Sequence, residues 1–306
     1  MTLRKAFKKV LVVFWHIFAL IGVLVTVLLI IVSYRGINIE INPDYEIELE
    51  NYAALLQQAG DYVPDTTTFN IHSLPDSAKA QEIKAYFNID SIVGYSTTTW
   101  DKTLTLARFV ASHVPHANQS VQPEKRNAIA LWEYTKSVEP AFNCRLHSIM
   151  LFELLSAAGI NATFITCLPK DSTDSDCHVV NQVWLPELNK WAMIDSDMNG
   201  NYATDKSGTP LSLAEIRERY ISGDDIYYHE AFAAGSNAIC SYYAYMAKNT
   251  YWFASWETST YDQETDLQNT NPGRYIRLVP PGFEPFHADS DDIVTSDANQ
   301  FWAKPS

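Results

Sequence analysis

The sequence predicts an α+β fold preceded by one transmembrane helix. Three observations lead there. An apolar run of 23 residues, Val10–Val32, stands near the start of the chain. Stretches up to Ile160 carry apolar residues at helical spacing. From Asn161 to Asp197, three short runs rich in β-branched and aromatic residues follow one another without intervening helices, ahead of further helix and strand, unlike a βαβ alternation.

With 306 residues, 47% of them hydrophobic, the chain can bury a full core. It carries 22 basic and 36 acidic residues, a net charge of −14. So acidic a surface repels phosphate backbones and excludes nucleic acid as a partner. Four cysteines with no C-x-x-C pair make neither a disulfide scaffold, a zinc ribbon nor a thioredoxin-like motif.

The elements follow in order. Residues 1–9 form a basic tail, with Arg4, Lys5, Lys8 and Lys9 ahead of the apolar run, and are expected to stay cytoplasmic. Residues 10–32 read as a transmembrane anchor. His16 is its single ionisable side chain, and its length matches a bilayer core of ~30 Å. A cleavable signal has an apolar region of about 7–15 residues and a small-x-small exit. This run is longer and leaves through Ser33-Tyr34-Arg35, so the anchor is expected to be retained, with the C-terminal bulk extracytoplasmic.

Residues 33–98 read as a stalk and N-terminal helical region. The acidic Gly36–Asn51 suggests a short strand or extended stalk, Asn51–Gly60 a short helix, Val63–Thr68 a loop and Asp76–Phe87 a helix. Residues 99–286 hold the main domain. It opens with helices over Thr99–His113 and Ala128–Lys136, joined by a polar connection. The nearly all-apolar Phe142–Ile160 follows, with Asn143 as start signal and Gly159 as stop. NATFITCLP, CHVVNQVWLP and NKWAMIDSD then read as three strands of an antiparallel meander. Ser212 and Glu215 form a capping box that opens a helix to about Tyr220. A tyrosine-rich helix over Asn237–Asn249 reads as core rather than a cofactor box, and TYWFASWETST and RYIRLVPPGF read as two more strands. Residues 287–306 form an acidic tail, expected to be poorly ordered.

Cys144 follows the helix start signal directly. A buried thiol is ordinarily inert packing, but unpaired N–H groups and the macrodipole at a helix N-terminus favour a thiolate. Such a nucleophile needs a base, and the base needs an orienting partner. Of eight histidines, His16 lies in the apolar run and His147 is too near Cys144 on the same helix to be aimed freely. His113 and His116 form an H-x-x-H pair without a third ligand, weak evidence for a metal. His178 begins a strand, and the neighbouring strand runs into Asp195. The four-residue turn Pro186–Asn189 pairs Leu185 with Lys190 and Trp184 with Trp191. That register places Asp195 opposite Val180, diagonal to His178 on the same face. Cys167 stands within reach of Cys177 across the first hairpin, leaving a disulfide open.

These residues carry a resemblance. FNCR around Cys144, the helix ending in AAGI, CHVVNQVW with His178 and KWAMIDSD with Asp195 resemble the transglutaminase-like superfamily. GTPLSLAEIRERYISG and YMAKNTYWF add to it, so that it spans about Trp100–Phe253. The resemblance implies a papain-like core, a central buried helix on an antiparallel sheet, with Cys144, His178 and Asp195 as a catalytic triad. It also implies a side-chain oxyanion donor from upstream, for which Trp100, Asn118, Gln119 and Gln122 are open candidates. Two departures stand out: Asn143 where many members have Gly, and Ser196 where many have Pro. The expectation is a membrane-anchored extracytoplasmic cysteine enzyme acting on peptide or protein amides, as peptidase, amidase or transglutaminase, with no cofactor and no metal. The alternative is a non-catalytic binding or scaffold module of the same fold at the cell surface.

Overall fold

The computed structural model describes residues 14–16, 18–23, 26, 45–73, 76–197, 199–230, 238–265 and 273–305. The chain divides into two units, Met1–Pro43 and Asp44–Ser306. In the first unit the described residues are helical, with exposed apolar side chains such as Trp15 and Phe18. The expected anchor, Val10–Val32, falls mostly outside the described residues, and among those described no helix is long and apolar enough to cross a membrane.

The second unit opens with helix α1 (Tyr45–Ala59). It begins six residues before the expected short helix, so part of the expected strand or stalk is helical instead. Glu46 and Glu48 lie in its first turn, where carboxylates complement the macrodipole. A two-residue strand β1 (His72–Ser73) precedes α2 (Ser77–Phe87), whose cap Asp76 accepts from Ala78 N and Lys79 N. Helices α3 (Ile89–Val93), α4 (Thr99–His113) and α5 (Ala128–Ser137) follow. Thr98 and Asp101 close a capping box on α4, and Asn127 caps α5.

Helix α6 (Cys144–Ala157) is buried all round, from Leu146 to Leu155 without a break. It stops at Gly159, whose φ of +77° suits a residue without Cβ. The meander comes next: β2 (Ala162–Leu168), β3 (His178–Leu185) and β4 (Lys190–Ile194). Then come β5 (Asn201–Thr204), α7 (Leu213–Ser222), β6 (Tyr227–Glu230) and α8 (Ala238–Asn249). The Ser212–Glu215 capping box opens α7 as expected, and β5 pairs with β6. The chain ends through β7 (Trp252–Trp256), β8 (Thr258–Ser259), β9 (Tyr275–Leu278), β10 (Ile293–Thr295) and α9 (Ala298–Phe301).

The main sheet has the order β10-β9-β7-β2-β3-β4, antiparallel throughout except for the parallel edge pair β9–β10. Every residue of β3 is buried, because both faces of the sheet are covered. Alternation sorts the side chains. Phe164, Val179 and Val183 pack with α2 to α6 in one apolar cluster. Ile165, Val180 and Met193 pack on the other face with Leu56 of α1, Ile216 of α7 and Met246 of α8.

One further expectation is corrected, and one question left open is answered. The stretch after Phe286 includes the ordered β10 and α9, because Phe301 is buried and the Trp302 ring packs on Phe253. Asp65 also holds it, accepting from Thr295 Oγ1 at 2.8 Å and Ser296 N at 2.7 Å. The disulfide left open between Cys167 and Cys177 is not formed: Cys144, Cys167 and Cys177 are free thiols, and Cys167 stands opposite His178.

Candidate active site

Cys144 is the first residue of α6. Asn143 caps the helix, its side chain accepting from Leu146 N at 3.1 Å. The approach to the helix is pinned from outside. Phe142, fully buried, donates its N–H to Pro115 O at 3.0 Å and accepts from Ala117 N at 2.7 Å, so that it bridges to His116. Arg145 points to another side, where its guanidinium binds the buried Glu264 and the Tyr275 hydroxyl. The helix tip is therefore braced, and the thiol stays half-buried.

His178 and Asp195 meet through sheet register. The structure pairs Leu185 with Lys190 and Asn181 with Ile194, the register expected from the four-residue turn. His178 Nε2 donates to Asp195 Oδ2 at 2.6 Å, with both side chains buried. Burial pushes the imidazole pKa down, but the Asp195 charge and hydrogen bond outweigh it and hold the group well above its ordinary value. Nδ1 of His178 is buried and has no hydrogen-bond partner among the described residues. Cys144 Sγ, a His178 ring nitrogen and an Asp197 carboxylate oxygen all lie within 4.8 Å of one another. Of the three residues singled out from sequence, His178 therefore has the Cys144 thiol within 4.8 Å of one of its ring nitrogens and Asp195 bonded to Nε2.

Asp195 has more support than the strand pattern foretold. Tyr242 of α8 donates its hydroxyl to Asp195 Oδ2 at 2.7 Å, and Asp197 N donates to Asp195 Oδ1 at 3.0 Å. Burial first, and then the Asp195 charge, push the Tyr242 phenol well above its usual range, so it remains a donor. The tyrosine-rich helix is core, as expected, yet one of its hydroxyls serves the site. Nothing in the local sequence marks Tyr242, since only the packing of α8 brings it to Asp195.

Asp197, two residues beyond Asp195 in KWAMIDSD, is a second site carboxylate that the sequence reading does not single out. Its buried carboxylate binds His116 Nδ1 at 2.8 and 2.9 Å and lies 3.4 Å from Nε2 of the buried His147. The hydrogen bond to Asp197 raises the His116 pKa against the opposing effect of burial. Burial lowers that of His147. His113 turns away from His116, its Nδ1 2.7 Å from Phe109 O, so the H-x-x-H pair does not converge.

The oxyanion candidates divide. Trp100 packs edge-on against Tyr202, with ring centroids 5.5 Å apart. Gln122 accepts from Arg126 at 3.4 Å, and Asn118 is exposed. Gln119 donates to Ala117 O at 2.7 Å and Ala141 O at 3.4 Å, bracing the loop ahead of Cys144.

Residues 87–196 match the family model described as Transglutaminase-like superfamily. No curated protein sequence matches the chain. A solved structure from Cytophaga hutchinsonii titled "Putative Cysteine Protease" shares 13% identity at a TM-score of 0.31, over 53% of this chain and 57% of that one. One from Parabacteroides distasonis titled "putative protease" shares 12% at 0.25, over 49% and 26%. A third, titled "Crystal structure of a TGase", shares 13% at 0.24, over 54% and 35%. The chain spans little more than half of the first of these structures and about a third or less of the other two, and likenesses this distant say nothing about activity.

Proposed function

We propose that the chain, whose residues 87–196 match the model of the transglutaminase-like superfamily, is a cysteine acyl-transfer enzyme acting on peptide or protein amides, with Cys144, His178 and Asp195 as its triad. The observation that carries this reading is the buried 2.6 Å His178–Asp195 hydrogen bond beside a thiol at a helix tip.

With Nε2 committed to Asp195, His178 offers Nδ1 to the thiol. It takes the Cys144 proton as the sulfur attacks the amide carbonyl carbon. The tetrahedral oxyanion is met by the Cys144 backbone N–H, one of the first four in α6 without an intrahelical acceptor. His178 then passes its proton to the leaving amine, and a thioester remains on Cys144. Attack by water, deprotonated by His178, gives hydrolysis; attack by an amine gives transamidation. Asp195 fixes the ring and stabilises its charged form, and Tyr242 holds Asp195 in place.

We place this activity outside the cytoplasm on an uncleaved anchor, on the strength of the 23-residue apolar run and its four-cation flank.

The test is a glutamine-containing peptide offered with hydroxylamine, followed by mass spectrometry. The parent should release free acid or hydroxamate and Cys144→Ala neither, with an acyl adduct mapping to Cys144. Iodoacetamide should modify Cys144 ahead of Cys167 and Cys177, whose thiol pKa values burial raises. If Cys144→Ala retains turnover, or Cys144 alkylates no faster than Cys177, the assignment fails.

A further inference from the structure

The proposed triad gives the Asp197 carboxylate no step, although it is the second buried carboxylate in the site and has an oxygen within 4.8 Å of both the Cys144 sulfur and a His178 ring nitrogen. We propose that Cys144 Sγ, His178 Nδ1 and an Asp197 carboxylate oxygen form a site for a thiophilic divalent cation, zinc above all, which closes the active site reversibly. The identity of the closed site rests on the acyl-transfer reading; the ion site itself does not.

Among the described residues this is the group of histidine, cysteine and carboxylate side chains close enough to share one ion. The donor set of one sulfur, one imidazole nitrogen and one carboxylate oxygen suits zinc, which takes all three kinds at 2.0–2.3 Å. Nδ1 of His178 belongs to a residue that is 1% exposed and has the Cys144 thiol beside it, with no further partner among the described residues, so an ion held by that sulfur also reaches this nitrogen.

The supporting contacts are also in place. A zinc-bound histidine ordinarily donates its other ring N–H to a carboxylate, as His178 does to Asp195. A ligating carboxylate is ordinarily hydrogen-bonded in turn, and His116 Nδ1 binds Asp197. Three protein ligands leave a fourth position open. Access is available, since Cys144 is only half-buried and the His116 side chain beside Asp197 is 48% exposed.

Binding exchanges one proton for the metal: the Cys144 S–H bond breaks, its proton goes to solvent, and a sulfur–zinc bond forms. No oxidant or reductant is involved. With sulfur and Nδ1 both held by the ion, neither nucleophile nor base is free, so the zinc-loaded chain is inactive until a chelator or competing ligand removes the metal.

The experiment uses the full chain in detergent, stripped with EDTA. Zinc at about one equivalent should protect Cys144 from iodoacetamide, and EDTA should restore its reactivity. Cobalt in place of zinc should give a near-ultraviolet thiolate-to-metal band that vanishes in Cys144→Ala. Asp197→Asn should remain alkylatable but lose protection at that zinc level. His116→Ala, which removes a supporting contact rather than a ligand, should weaken zinc by roughly 10–100-fold. Circular dichroism checks that both variants fold, and the two read the site independently of each other. Absence of the cobalt band, or equal zinc protection in the parent and both variants, overturns the ion site. Retained turnover in Cys144→Ala would instead overturn the acyl-transfer reading, while the cobalt band would still report the ion.

Discussion

Glu153 shows how much one buried group can depend on its neighbours. It lies inside α6, where its carboxylate accepts from Ala128 N at 2.7 Å and Asp262 N at 2.8 Å. Ala128 opens α5, so the negative end meets a helix N-terminus. Burial nevertheless dominates, and although the two N–H donors pull the other way, the pKa rises from 4.5 to about 7. Since the folded state holds its proton more tightly than the unfolded chain, the linked stability is fully present below about pH 4.5 and is lost as pH rises through about 7. A shift of this size corresponds to about 3 kcal/mol. Glu153→Gln removes that slope. Urea midpoints should fall for the parent between pH 5 and pH 8 relative to the variant, although at pH 5 the variant is the less stable by ~1–3 kcal/mol because its amide nitrogen cannot accept an N–H. Parallel pH profiles for the two proteins would show that Glu153 does not titrate in this way.

Among the elements, α6 and the β3–β4 hairpin do most to build the site. Asn143 stands where many members of the superfamily have Gly, and the structure gives its side chain the work of an N-cap. Asn143→Ala should therefore cost about 1 kcal/mol, whereas Asn143→Gly should cost only a few tenths, because a glycine backbone accepts the cap conformation. Denaturant unfolding of the two variants decides it; equal losses would mean that the Leu146 bond contributes nothing. The hairpin was legible because a four-residue turn and period-two alternation fix parity, and a slip of one residue sends Asp195 to the other face. The acidic segment before Asn51 was not. Alternation over a few residues suggests a strand or stalk, whereas Leu49, one turn and more ahead of Leu56, packs against the same cluster as Ile216 of α7 and Met246 of α8, in a helix beginning at Tyr45.

For the whole molecule, the proposed placement at a membrane makes a claim of its own. The charge contrast is strong: Arg4, Lys5, Lys8 and Lys9 precede the apolar run, and a net charge of −14 characterises the chain as a whole. Protease added to intact cells should cleave beyond Gly36 and leave an N-terminal tag untouched. Cleavage of the tag with protection of the remainder would reverse the topology. Within Asp44–Ser306, two apolar clusters on opposite faces of one sheet account for the total burial of β3, and His178 at its end is sealed from solvent on the same terms.

Sequence alone determined the helices whose caps and stop signals are local, among them Thr99–His113, Cys144–Ala157 and the Ser212 capping box. It also determined the order of the meander and the pairing of His178 with Asp195 on one face, since strand start and hairpin parity are properties of short segments. Only the tertiary structure decided that Tyr242 would hold Asp195, that Asp197 would join His116 and His147 to the site, and that residues after Phe286 would add an edge strand. The Tyr242–Asp195 and His116–Asp197 contacts link residues 47 and 81 apart, and the edge strand reaches its partner across an intervening loop. Which side chain a buried carboxylate meets is set by how whole layers pack, and no period or cap in the chain encodes that.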